Sequence, residues 1–446
     1  MESRIDLAAD LNDEDDEGLG WSTLSEARDP GGICPGVMLV AGNRQAQAVV
    51  RVVAVDDDGQ VLARRRVSND AAGFAQALTL LAEAGDTAEH PIPVAIETDH
   101  GLWVAALRET GRVIYPINPL AASRYRPRYA VSGAKSDATD AMLLANIVRT
   151  DADAHRPLPA DTELAQAIRV LARAQQDAVW ARQQIGNQIR ALLNDFYPAA
   201  IAAFAELPTG GLARADARSI LAAAPTPAQA AKLTPARLRR LLIKAGRRRD
   251  LDRDVQRLRA IFTDTYLHQP PTVENAMGIQ LSVLLRQFDA ACTAADELAE
   301  AASAHFEQHP DAKTITSFPG LGMLTGARVL GEIGDDRTRF ADARGLKAFA
   351  GSAPITRASG KKTVVLHRYI KNRRLAAVGP MWALAALRHS PGARRHFDTR
   401  RTAGDWNRQA QRHLFNKLLG QLHHCLQTSQ LYNEHLAFPP PPVLAA

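Results

Sequence analysis

Hydrophobic positions along the 446-residue chain change their period near residue 160. Before that point, short apolar runs alternate with turn signals. VMLVA (37–41), AVVRVVAV (48–55) and QVLARRRV (60–67) are rich in β-branched residues, and DDDG between the last two reads as a hairpin turn. Together they predict an antiparallel meander. NDAAGFAQALTLLAEAG (69–85) has helical spacing behind an Asn69 cap, and PVAIET (93–98) reads as a buried strand. LWVAALRETG (102–111) is a helix closed by glycine, and VIYPIN (113–118) is a further strand.

Meander strands followed by alternating helix and strand are the order of a ribonuclease-H-like α/β domain with a mixed sheet, which we place at 35–158. From Asp161 to Phe196 the spacing turns helical, with Leu164, Ile168, Leu171, Ile185, Ile189, Leu192 and Phe196 on one stripe. A second such stripe runs from about Val273 to Phe306, with the basic helical segment RLRRLLIKAGRRR (237–249) between the two. This middle region, 159–310, predicts either an antiparallel coiled-coil stalk or ordinary helical packing. A mainly α-helical C-terminal domain follows at 311–438. The Pro-rich tail 439–446 ends the fold, and the acidic leader 1–34, which lacks apolar periodicity, reads as disordered.

Composition narrows the function classes. A chain this long exceeds one hydrophobic core, and no run approaches the ~18 apolar residues of a membrane span. The acidic first residues do not make a secretory signal, so a cytoplasmic protein without a membrane partner is expected. The three cysteines are far apart, which argues against a disulfide framework or a CxxC metal site. A net charge of +6 and a pI near 9.3, with arginine concentrated after the acidic leader, fit a phosphate-backbone binder.

Four segments carry candidate chemistry. KSDATDA (135–141) places Asp137 and Asp140 three residues apart on one helix face, where they could hold a hard divalent cation such as Mg²⁺. Acids also favour first turns through the helix dipole alone. Glu97 ends an otherwise buried strand, where α/β folds place site residues, although a solvated strand end would look the same. Asp99, two residues on, would share its face if the backbone stays extended.

TITSFPGLGMLTGARVLGEIGD (314–335) reads as helix, turn and helix, with Gly320 and Gly322 in the turn. It resembles a helix-hairpin-helix, whose amides bind backbone phosphates, but a plain connection between helices fits as well. ASGKKTVVLHRYIKNRRL (358–375) surrounds Ser359 with Lys361, Lys362, Arg368, Lys371, Arg373 and Arg374, and Arg357 precedes it. Such cations could hold a phosphodiester beside the hydroxyl.

In order and spacing, VAIET, KSDATDA within 117–147, FPGLGMLTGARVLGEIGD and APITRASGKK resemble the transposases of the insertion-sequence one-ten (IS-one-ten) family, over about residues 51–437. That resemblance implies a RuvC-like domain with a DEDD carboxylate set, a coiled-coil linker, and a C-terminal domain with an essential serine. It implies that Glu97, Asp137 and Asp140 are the second to fourth carboxylates of a Mg²⁺ (or Mn²⁺) site and that Ser359 is the nucleophile. It further implies a DNA recombinase of an insertion sequence that forms a phosphoserine link, works as a dimer or tetramer and associates with the bacterial nucleoid when bound to DNA. Some members of the family are guided by a structured RNA of their own element.

One part of the pattern departs. Where the family carries its first aspartate, VMLVAGNRQAQ (37–47) has no carboxylate, and Asn43 and Arg44 are poor substitutes for a cation ligand. The sequence therefore supports three expectations: an active transposase, with Asp99 as a partial replacement ligand, a degenerate relative that binds nucleic acid without recombining it, or a plain ribonuclease-H-like nuclease that needs the metal site and not Ser359.

Overall fold

The computed structural model describes residues 37–41, 49–129, 137–205, 211–360 and 362–439. The acidic leader, Cys34, Asn43, Arg44, Lys361 and most of the Pro-rich tail lie outside the described residues. The chain forms two compact units, one through Pro159 and one from Ala160.

In the first unit, β1 (Val37–Ala41), β2 (Val49–Val55) and β3 (Val61–Ser68) form the expected meander. Asp56 shapes its second turn: its Oδ1 accepts the amides of Asp58 and Gln60 at 2.9 and 2.7 Å. Gly59 supplies the positive φ of +80° that the turn requires. After α1 (Ala71–Glu83) come β4 (Val94–Ile96), α2 (Leu102–Glu109), β5 (Ile114–Pro116), α3 (Pro119–Tyr129) and α4 (Asp137–Asp151). The sheet order is β3-β2-β1-β4-β5, with β1 antiparallel to β2 and parallel to β4. This is the mixed five-stranded sheet of a ribonuclease-H-like domain. Val52, Val53, Ala95 and Ile96 of the sheet share one buried cluster with Leu144, Ile147 and Val148 of α4.

The α1 cap differs from the expectation. Asp70, not Asn69, caps the helix by accepting the Gly73 amide at 2.7 Å. A carboxylate at this position also complements the positive end of the helix dipole. Asn69 instead accepts the indole N–H of Trp103.

The second unit is built on two long helices, α5 (Glu163–Phe196) and α11 (Pro271–Glu307). They run antiparallel: the Gln175 amide reaches Ala295 O, and Gly186 lies against the Phe288 ring. Between them in sequence lie α6 (Pro198–Ala200), α7 (Ala215–Ala223), α8 (Pro227–Ala230), α9 (Pro235–Lys244) and α10 (Leu251–Thr263). These pack around Phe196, Tyr197, Leu281 and Phe288 as one apolar cluster.

The remainder comprises α12 (Ala312–Thr316), α13 (Met323–Ile333), α14 (Ala343–Phe349), the hairpin β6 (Ile355–Ser359) and β7 (Lys362–Leu366), α15 (Arg373–His389), α16 (Pro391–Thr402), α17 (Asn407–Thr428) and α18 (Glu434–Ala437). It packs around Phe318, Trp382 and Phe415, together with Ile168 and Phe306 from the long pair. Cys292 and Cys425 are buried free thiols in these cores.

Candidate active site

The direction of α4 brings the acidic residues to one edge of the sheet. Near its C-terminal end, Arg149 Nη1 donates to Asp57 O at 2.8 Å, and Asn146 and Arg149 crowd Gly59. That turn follows β2, and the strand directions place it at the edge where β1 and β4 begin. A helix rises about 1.5 Å per residue, so Asp140 lies about 13 Å and Asp137 about 18 Å from Arg149 along the axis. Both therefore lie toward the edge where β4 ends and Glu97 follows.

Asp140 is 4% exposed, and its Oδ1 accepts two N–H groups of Arg126, from Nε at 3.1 Å and from Nη2 at 2.7 Å. Glu97 is half-buried just past β4, while the side chain of Asp137 lies outside the described set. Asp99 is exposed and pairs with His100 Nδ1 at 2.9 Å. The chain bends at Glu97 and Asp99 to enter α2 through Gly101 at φ +103°. The extended alternation that would place Asp99 on the face of Glu97 is thus absent. Among the described residues no three His, Cys, Asp or Glu side chains gather as a cation site.

In the second unit, Ser359 is exposed at the end of β6 and pairs across the hairpin with Lys362. Strand alternation puts Arg357 on the same face as Ser359, so Arg357, Ser359 and Lys362 form a cationic group around a hydroxyl. Gly360 has φ +56°, which allows the tight reversal. The strand that returns from this turn begins at Lys362, one residue before the expected TVVL.

The other cations of the segment separate in the fold. Arg368 Nε donates to Ala353 O at 3.3 Å. The Lys371 stem covers Gly351, with its Nζ 3.1 Å from His367 Nε2. Arg373 opens α15. Arg374 pairs with Asp177 at 2.8 Å and stacks over Trp180 at 5.1 Å, so this charge is largely committed to internal contacts. Gly320, at φ +84°, packs its Cα against α15, whereas Gly322 faces open space at the start of α13.

Sequence reasoning missed Arg126 and the buried Glu332. Glu332 accepts both Arg173 Nε and Nη2 at 2.8 Å, and its Oε2 also accepts Asn372 Nδ2 at 2.6 Å. Asn372 in turn caps α15 by accepting the Leu375 amide at 2.7 Å, which fixes the segment that returns from the Ser359 hairpin. No local sequence signal marks these partners, since Arg173 and Glu332 are far apart in the chain.

Comparisons with known proteins match both units. A family model for DEDD transposases of the IS110 kind matches residues 45–198, and the model of the IS116/IS110/IS902 transposase family matches residues 312–398. A Streptomyces coelicolor protein of the IS117 mini-circle is 60% identical over 87% of this chain and 94% of its own length. A 44.8 kDa protein of insertion element IS116 from Streptomyces clavuligerus is 30% identical over 88% of this chain and 94% of its own. A 42 kDa protein of IS900 from Mycobacterium paratuberculosis is 28% identical over 85% and 94%. DEDD transposase domains generally use divalent cations, in keeping with carboxylates at the end of β4 and the start of α4. The chain belongs to the IS116/IS110/IS902 family of transposases, enzymes that cut and rejoin DNA.

Proposed function

We propose that this transposase exchanges strands of its own insertion sequence using Glu97, Asp137 and Asp140 to hold Mg²⁺ (or Mn²⁺) and Ser359 as nucleophile. The observation that carries this reading is the antiparallel placement of α4, which sends its first-turn acids toward the end of β4 that bears Glu97. The donor set fits a hard cation because all three side chains offer carboxylate oxygens. A bound cation would neutralise charge that develops on the phosphoryl oxygens.

Ser359 Oγ attacks the phosphorus of a DNA phosphodiester and displaces one ester oxygen, leaving a phosphoserine link. Arg357 and Lys362, on the face of the serine, orient the phosphate and offset its charge. Gly322 and the amides that open α13 contact backbone phosphates in the manner of a helix-hairpin-helix. The α5–α11 pair serves as an antiparallel coiled-coil stalk of a homo-oligomer. The resemblance adds a structured guide RNA and work on the bacterial nucleoid.

A degenerate relative that binds DNA without recombining it is the second reading. Two observations favour it: no carboxylate lies in 37–47, and Arg126 occupies an oxygen of Asp140.

The test is strand exchange between plasmids that carry element ends, with trapping of covalent protein–DNA adducts in Mg²⁺. Wild type should form adducts, while Ser359→Ala and Asp140→Asn should form none yet still bind DNA. DNA binding without any adduct by the wild type would establish the second reading. Adducts that persist in Ser359→Ala would remove the serine from its role.

A further inference from the structure

Trp406 is 80% exposed at the corner between α16 and α17, yet the backbone that carries it is firmly held. Buried Asp405 accepts Arg400 Nε, and its carbonyl accepts Arg401 Nη1 at 2.6 Å. Trp406 O accepts the Ala410 amide at 2.9 Å as α17 begins. The backbone beneath the indole is therefore held while the ring itself stands in water, a costly arrangement for so large an apolar ring.

A basic strip on α17, the helix that Trp406 precedes, leads to the base of the serine hairpin. Arg408, Arg412 and Asn416 repeat every four residues and share one face of α17. That face looks onto the segment entering β6, because Ser352 Oγ donates to Asn416 Oδ1 at 2.9 Å. Just past β7, the His367 and Tyr369 rings meet edge-on at 5.7 Å, and Tyr369 is 81% exposed. Burial, then the nearby charges of Lys371 and Arg412, holds the His367 imidazole below its usual range. Among the described residues neither Arg408 nor Arg412 takes part in an ion pair.

Two exposed rings and two arginines outside any described ion pair match one ligand chemistry. Bases stack on aromatic faces, and cations track the phosphates of an unpaired strand. In a duplex the base faces are already covered by their neighbours. From Trp406 to Asn416 the strip spans about 15 Å along the helix.

We propose that Tyr369, Arg412, Arg408 and Trp406 bind single-stranded DNA, with bases on the two rings and phosphates on the arginines, and lead that strand to the Ser359 hairpin. This rests on the reading of the chain as a strand-exchanging transposase and names where the separated strand runs.

The test uses the full-length chain, with fluorescence anisotropy of labelled oligothymidylate and of a duplex of equal length. Trp406→Ala should weaken binding of the oligothymidylate by roughly tenfold or more, while duplex affinity stays nearly constant. Trp406→Phe should recover most of the loss. Arg408→Gln with Arg412→Gln should lower the salt slope for the single strand by about 0.7 per contact removed.

Equal losses on single strand and duplex would overturn the stacking role. Unchanged binding in Trp406→Ala would overturn the proposal while leaving the transposase reading intact, and a change of oligomeric mass in that variant would then mark the face as a contact between copies. Preference for oligouridylate over oligothymidylate would reassign the strip to RNA. A wild type that binds no nucleic acid at all would overturn the functional reading as well.

Discussion

Arg126 donates through Nε and Nη2 to a single oxygen, Oδ1, of Asp140, at 3.1 and 2.7 Å. The pair joins α3 to the first turn of α4 and supplies a positive charge to a buried carboxylate at the proposed cation edge. Removing one partner of such a pair leaves an uncompensated buried charge. Arg126→Ala should therefore destabilise the first unit by about 3 kcal/mol without metal. Mg²⁺ or Mn²⁺ should recover part of that loss, because a cation can replace the guanidinium. Thermal unfolding with and without metal checks this, and a variant indifferent to metal would place Asp140 outside the cation site.

Arg173→Ala exposes a different weakness. It leaves Glu332 buried with Asn372 as its remaining partner. Arg173 is itself part-exposed, so the loss should be at the low end for a buried pair, about 2 kcal/mol. Since Asn372 caps α15, amide exchange at Leu375 should quicken in the same variant. Protection at Leu375 equal to wild type would separate the cap from the ion pair.

The two turn glycines should respond in opposite ways. A Cβ on Gly320 would stand 2.6 Å from Ala386 N, at a φ of +84°. Gly320→Ala should cost about 2 kcal/mol or more in urea unfolding. Gly322 is open and has φ −89°, so Gly322→Ala should leave stability within about 0.5 kcal/mol. If its amides contact phosphates, that variant should lose DNA affinity alone.

Acid should weaken the second unit in two stages. Burial disfavours the imidazolium of His396 and of His413, and neighbouring cations add to this, so both lie below the usual histidine value of 6.5 in the fold. Burial opposes ionisation of Glu434, but hydrogen bonds from the Tyr432 hydroxyl, the Gly392 amide and Ser390 outweigh it and hold Glu434 below its ordinary 4.5. A lowered value in the fold means that the unfolded chain binds protons first. Stability is then full above the unfolded value and lost as pH falls. Urea midpoints should decline below about pH 6.5 and again below about 4.5, and Glu434→Gln should make the second decline shallower, with the likewise lowered Asp216, Asp335 and Asp336 sustaining the rest.

Much of the architecture is determined by neighbours in the chain. Valine-rich alternation makes β2 and β3, the Asp56–Gly59 turn joins them, and the long apolar stripes make α5 and α11, because strand and helix periods are local properties. The segments around Glu97, Asp140 and Ser359 were legible for the same reason, as short motifs in a fixed order. Only the tertiary structure decided which charges remain available. Asn69 bonds Trp103 and leaves the α1 cap to Asp70, Arg374 turns to Asp177 while Arg357 and Lys362 stay with Ser359, and Arg126 reaches Asp140. These outcomes depend on Coulomb and hydrogen-bond contacts effective only within a few ångströms. Such distances are set when separate helices and strands pack together, and composition and spacing along the chain do not contain them.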